Sequence, residues 1–340
     1  AAYDMPMRSG WLWAILVVAA AAARFGLLSR AAPQTVRTPD SQAYLDLAAS
    51  LHERGRFALD NRPHVFRTPG YPAFLLIGRW ADPRDEQSAG PPGWRVVLAV
   101  QAALGVGLVG AVYALGRMLA GPREAVLAAA FQALSPLAVA ADCRLLSDAL
   151  YALLLTVSLL LMVGHLRTRR RWALAVSATL LAAACYVRPV GLTVAGIYAA
   201  TLLLRRRRWA NLGVLVGVLV AALGPWVARN VVVADYAGFS TYASDAMYHF
   251  AAAEVVAAER GIDGAEARHL LADRAERATR GMTVGQAARW RARVARRVLL
   301  DHPARYARLH LRGLRGVWLP GATDVLEVAG RTAGGRNTRE

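Results

Sequence analysis

Asp40-Ser41-Gln42-Ala43-Tyr44 and, further along, Arg67-Thr68-Pro69-Gly70-Tyr71-Pro72 lie between the first two apolar runs of this 340-residue chain. A carboxylate just beyond a hydrophobic span is where an acceptor group could lose its proton at a membrane face. Arginines at the same kind of boundary can grip an anion through a planar, bidentate fork. Three more places put such residues at the ends of apolar runs: Leu145-Leu146-Ser147-Asp148, Arg188-Pro189, and Gly224-Pro225-Trp226-Val227-Ala228-Arg229-Asn230.

Each candidate also has a plain structural role. Asp40 follows Pro39 and opens a helical period through Tyr44, Leu45, Leu47, Ala48 and Leu51, so it is either a base or a capping carboxylate at a helix start. Arg188 and Arg229 each end a span, and there they bind phosphate or extend to head groups. Arg67 is a phosphate ligand or a solvated loop residue. Tyr44 and Tyr71 line a sugar pocket or sit in an interfacial aromatic belt. Asp142 and Asp148 flank Arg144, and they position an acceptor, hold a divalent metal or form an ion pair with it. The seven histidines are scattered with none at ligand spacing, so no metal site is assigned. Cys143 and Cys185 form a disulfide or stay as two buried thiols.

These residues must be held by membrane helices. The chain is 56% hydrophobic, and the excess is gathered in long runs. Seven runs are expected to span: 11–29, 94–118, 123–141, 147–166, 172–187, 189–204 and 209–228. Trp11–Leu28 reads as an uncleaved first helix. Arg188-Pro189 separates two short spans, because proline breaks the helical ladder. All 41 basic residues are arginine, for a net charge of +18. They cluster in Arg8, Arg117 with Arg123, Arg167 with Arg169–Arg171, and Arg205–Arg208. Alternating spans put all four groups on one side, which the positive-inside rule makes cytoplasmic. That distribution favours head groups over nucleic acid as the basic residues' partner, and no nucleic-acid-binding motif accompanies them. Neither a phosphate-cradling glycine loop nor a hydrolase motif occurs.

The expected architecture is therefore all-α: a polytopic membrane module over 1–229 and a helical extracytoplasmic tail over 230–340. The outer loop 30–93 carries a juxtamembrane helix from Ser41 to Arg54, followed by an irregular stretch from Arg79 to Gly93. In the tail, Trp290, Val294, Val298, Tyr306 and Leu309 recur among arginines, as in a helix lying on anionic lipid or a solvated helical surface. The last ~25 residues, rich in Gly and Arg, read as a mobile end.

The five motif regions, in this order and all on the outer face, make the chain resemble GT-C superfamily glycosyltransferases of the protein O-mannosyltransferase and lipid A aminoarabinose-transferase type. The resemblance implies transfer of a sugar from a polyprenyl-phosphate carrier to a protein, lipid or glycan acceptor at the outer face of the cytoplasmic membrane. No cofactor is certain, and a divalent metal is one option. It also implies that Asp40 is the catalytic base. Where that family often has a second acid directly after the first, this chain has Ser41. Family members continue with further spans past the segment resembling His302-Pro303 to Trp318-Leu319-Pro320, so a truncated or processed chain, or a minimal form, is expected. The rival readings are a transporter or flippase of lipid-linked glycans, which should show two related halves, and a non-catalytic truncated paralogue. No internal repeat is visible.

Overall fold

A computed structural model describes residues 6–82, 90–205 and 208–318. In chain order it runs α1 (Pro6–Leu28), α2 (Pro33–Val36), α3 (Pro39–Arg54), β1 (Ala58–Leu59), β2 (Arg62–Pro63), α4 (Gly70–Ala81) and α5 (Trp94–Leu119). It continues with α6 (Pro122–Leu134), α7 (Pro136–Asp142), α8 (Asp148–Thr168), α9 (Arg171–Val187), α10 (Gly191–Leu203) and α11 (Arg208–Ala234). The remainder is α12 (Tyr242–Ala246), a π-helical turn (Met247–Ala252), α13 (Ala253–Arg260), α14 (Gly264–Ala278), α15 (Val284–Asp301) and α16 (Pro303–Trp318). The protein is an all-α, multi-pass membrane protein; the two short strands form one hairpin whose turn, Asp60-Asn61, is left-handed at both residues.

A helix stands at each of the seven expected spans. Four, α1, α5, α8 and α11, are long and apolar enough to cross a membrane. The expected span 123–141 is two helices, α6 and α7, bent by 57°. Pro136 causes the break: it has no N–H to give the carbonyl of Gln132. Ser135 restarts the helix by accepting from the Ala138 N–H at 3.3 Å. α9 and α10 have 17 and 13 residues and reach only ~25 and ~20 Å.

The chain folds as two units. The first holds Ala1–Phe57 and Thr68–Ala222. Its interior is small residues and leucines, with α8 packed on α5 and α9, and α1 on α5 and α6. The second unit takes in Ala58–Arg67 and the chain from Leu223 onward. Its core is Tyr248, Ala252, Ala253, Ala257, Ala267, Leu271, Ala275 and Ala295, with Trp290, Val294 and Val298 packed against it. The stripe of α15 offered above to lipid or solvent is thus spent on a protein core. The irregular stretch starts later than expected, since Arg79 to Ala81 finish α4. Residues 83–89 and the expected mobile end lie outside the described residues.

Candidate functional site

The first unit draws four of the five motif regions together. α3 begins at Pro39, and its first turn is held by Ser41. The Ser41 hydroxyl accepts from the Thr38 N–H at 2.8 Å and donates to the carbonyl of Leu145 at 2.9 Å. Ser41 is fully buried. An acid at this position would press a carboxylate onto that carbonyl, acceptor against acceptor, which accounts for the serine here. Thr38 is the N-cap and Ser41, three residues on, closes the capping box, while the Asp40 carboxylate stands exposed in the first turn, where the helix dipole favours the anion. On the buried face of α3, Tyr44, Leu47 and Ala48 join the core.

The second region is pinned to the fourth. A Cβ on Gly70 would lie 2.6 Å from the backbone carbonyl of Tyr186, so only glycine lets α4 start this close to the end of α9. The Thr68 hydroxyl donates to the Val187 carbonyl at 3.3 Å. Tyr71 is fully buried, and its ring meets that of Tyr44 edge to face at 4.9 Å. Burial foremost, with the neighbouring Tyr44 and Asp148, pushes the Tyr71 phenol well above its ordinary range. It stays protonated and donates to Gln101 Oε1 at 2.8 Å, while Gln101 Nε2 donates to the Arg144 carbonyl at 2.8 Å. Tyr44 and Tyr71 thus sit beneath the α3 surface as its scaffold.

Arg188 caps α9 and points its guanidinium at Asp148, the first residue of α8, at 2.6 Å. The ring of Tyr151 lies 6.0 Å from the same guanidinium. Asp142 does not pair with Arg144 as sequence adjacency suggests. Its partner is Arg24 of α1, at 2.7 Å. Arg24 also donates to the carbonyls of Ala133 at 3.2 Å and Gln132 at 3.4 Å, the groups exposed by the break before Pro136. Gly105 makes room for this pair: a Cβ there would fall 2.1 Å from Asp142 Oδ2. Cys143 and Cys185 are free, buried thiols, and burial, with the Asp142 charge, pushes that of Cys143 up to about 11. Among the described residues no three His, Cys, Asp or Glu side chains gather as a metal site would need.

The fifth region organises the second unit. Arg229 Nη1 donates to the His64 carbonyl at 2.9 Å and to Asn230 Oδ1 at 3.0 Å, and its guanidinium lies 4.7 Å from the Trp226 ring. Asn230 Nδ2 and Trp226 Nε1 both donate to the Phe239 carbonyl, at 3.1 Å each. The strand-like segment before Arg67 is tied in turn to residues 240 and 241: the Ser240 hydroxyl donates to the Phe66 carbonyl at 2.6 Å and the Thr241 N–H to that of Val65 at 3.0 Å. Arg67 lies over the Phe66 ring at 5.1 Å.

His64, between these two arginines, escaped the sequence reading. Its Nε2 accepts from the Arg67 N–H at 2.9 Å, so Nδ1 carries the hydrogen. Burial, then the charges of Arg67 and Arg229, lower its pKa to about 4. The imidazole is neutral near pH 7 and offers an N–H donor beside two guanidinia. Gln101 also went unread; a lone amide in an apolar run was its only signal.

Helices of these lengths, with ionisable groups gathered at their ends, define a polytopic membrane protein whose polar chemistry is held at the helix termini. Residues 89–227 match the model of a family described as dolichyl-phosphate-mannose-protein mannosyltransferase. Over that segment the chain is similar to membrane glycosyltransferases of the GT-C type. The matched segment contains Asp148 and Arg188, whereas Asp40, Arg67, Tyr71 and Arg229 lie outside it. No curated protein and no solved structure matches the chain.

Proposed function

We propose that the protein transfers a sugar from a polyprenyl-phosphate carrier to an acceptor at the outer face of the cytoplasmic membrane, with Asp40 as the base. The acceptor X–H gives its proton to the Asp40 carboxylate as X attacks the anomeric carbon. The bond from that carbon to the phosphate oxygen breaks, with inversion, and the lipid phosphate leaves carrying the electron pair. Arginine donors that meet the leaving phosphate lower the barrier by stabilising its growing charge. In the first unit, which also carries Asp40, this role falls to Arg188. Asp148 holds Arg188 in its rotamer until a phosphate competes for it.

The observation that carries this reading is the start of α3. Ser41 fixes the first turn, and Asp40 presents an exposed carboxylate on it. The glycosyltransferase family match supplies the reaction class. The outer-face assignment rests on the arginine-rich loops and the positive-inside rule.

The test is sugar transfer by the purified protein from a labelled polyprenyl-phosphate sugar. Asp40→Asn is expected to lower turnover by ~10²–10⁴-fold with donor binding and helix content unchanged. Wild-type turnover in that variant would move the base elsewhere. Arg188→Gln is expected to raise the donor KM.

A further inference from the structure

At the opposite end of the first unit from Asp40, the arginine-bearing helix ends close around a cavity of about 480 Å³. Arg169, Arg171 and Arg205 line it, together with His165 and Asn211. Among the described residues no carboxylate is in its wall. Among the described residues, none of the three arginines is in an ion pair. The contrast with Arg167 is informative. Arg167 donates to the Met118 carbonyl and so serves to close the end of α5. Among the described residues the three cavity arginines have no comparable bond, and their mutual repulsion calls for an anion.

Two observations say which anion. The first is the surroundings. Leu204, on the cavity wall, is almost fully exposed, and Trp172 and Trp209 at the starts of α9 and α11 are exposed as well. Exposed tryptophans at the ends of spanning helices belong at the bilayer interface. A ligand here has its charge among guanidinia and its remainder against apolar side chains, as a lipid does and a soluble anion does not. The second is His165. It is buried, and its Nδ1 lies 3.0 Å from the carbonyl of Arg170. A carbonyl only accepts, so Nδ1 holds a hydrogen and is committed to that bond. A buried imidazole in the same wall as three guanidinia gives a second polar partner to a headgroup that carries a hydroxyl beside its phosphate.

We infer that this cavity binds the glycerophosphate headgroup of an anionic phospholipid, with phosphate on Arg169, Arg171 and Arg205 and the glycerol hydroxyl on His165. Basic pockets between membrane helices on the arginine-rich side bind such headgroups. The lipid would brace the junctions between α8 and α9 and between α10 and α11. This inference does not depend on the catalytic reading above and stands or falls separately from it.

The test uses the full chain in detergent, with native mass spectrometry and thermal unfolding as readouts. Phosphatidylglycerol and cardiolipin should stay bound and raise the unfolding midpoint; phosphatidylcholine and inorganic phosphate should do neither. The double variant Arg169→Asn, Arg205→Gln should weaken lipid binding by about tenfold or more. Asparagine is chosen because Arg169 sits at a φ of +59°, which Asn tolerates. As a control, Arg293→Gln with Arg296→Gln removes the same charge from α15 in the second unit and should leave lipid binding unchanged. Equal retention of phosphatidylcholine would overturn the inference. So would equal weakening by the control pair, or a phosphate effect as large as the lipid's.

Discussion

Asp142 and Asp148 flank the same turn, and each faces an arginine at nearly the same distance, 2.7 Å for Arg24 and 2.6 Å for Arg188. Water separates them in kind. The side chains of the first pair are 0% and 5% exposed, and those of the second 38% and 39%. Arg24 spreads its remaining N–H groups over the carbonyls of Ala20, Ala133 and Gln132, so its charge is built into the bend between α6 and α7. Arg188 keeps one carboxylate and an aromatic neighbour, and solvent can reach it. A buried pair is costly to break, because either partner alone is a stranded charge. A half-exposed pair can exchange one anion for another at little cost. Identical chemistry thus yields a buried structural clamp in one place and a half-exposed pair in the other.

That contrast can be broken most directly at Asp142. Asp142→Asn should destabilise the protein by ~3–5 kcal/mol, read from unfolding in detergent. His64, in the second unit, extends the rule to a group that burial keeps neutral. Its pKa is lowered from 6.5 to about 4, so the unfolded chain binds the proton first. Its contribution is therefore complete above pH 6.5 and is lost as pH falls toward about 4. At ~1.4 kcal/mol per pH unit, the loss is at most about 3 kcal/mol. His64→Gln keeps an acceptor for the Arg67 N–H and should flatten the pH dependence of unfolding across that window. An unchanged profile would show that burial there is not what excludes the proton. The smallest effect is expected at Asp148. Asp148→Asn should cost less than ~1 kcal/mol while changing the donor KM in the transfer assay. Equal destabilisation by the Asp142 and Asp148 variants would end the distinction between clamp and half-exposed pair.

Much of this was legible from local sequence. The run from Trp94 to Leu119 is helical because it is long and apolar, and Arg188-Pro189 ends a helix because proline has no N–H and excludes the α region from the residue before it. Tyr44, Leu47 and Ala48 fell on one face of α3 at the expected period. The capping box of that helix, Thr38 with Ser41, is a pattern the local sequence also holds. What the local pattern does not show is the Leu145 carbonyl, which takes the hydrogen of the Ser41 hydroxyl and so requires a group there that both donates and accepts. The partner of Asp142 was misplaced for a similar reason. Arg144 is two residues away, but Arg24, 118 residues away, is the one inside the bundle.

The sequence by itself determined that the chain is a helical membrane protein, where its long apolar helices lie, and which residues could carry charge at their ends. Those properties depend on run length, period and the presence of Pro or Gly, all read within a turn or two of the residue concerned. Only the tertiary structure decided which charges are consumed and which stay available, setting Asp142 on Arg24, Asp148 on Arg188 and His64 beside Arg67 and Arg229. The reason is that the strength of a charge depends on how much water surrounds it. Water is excluded by packing between helices far apart in the chain, and no local pattern records that.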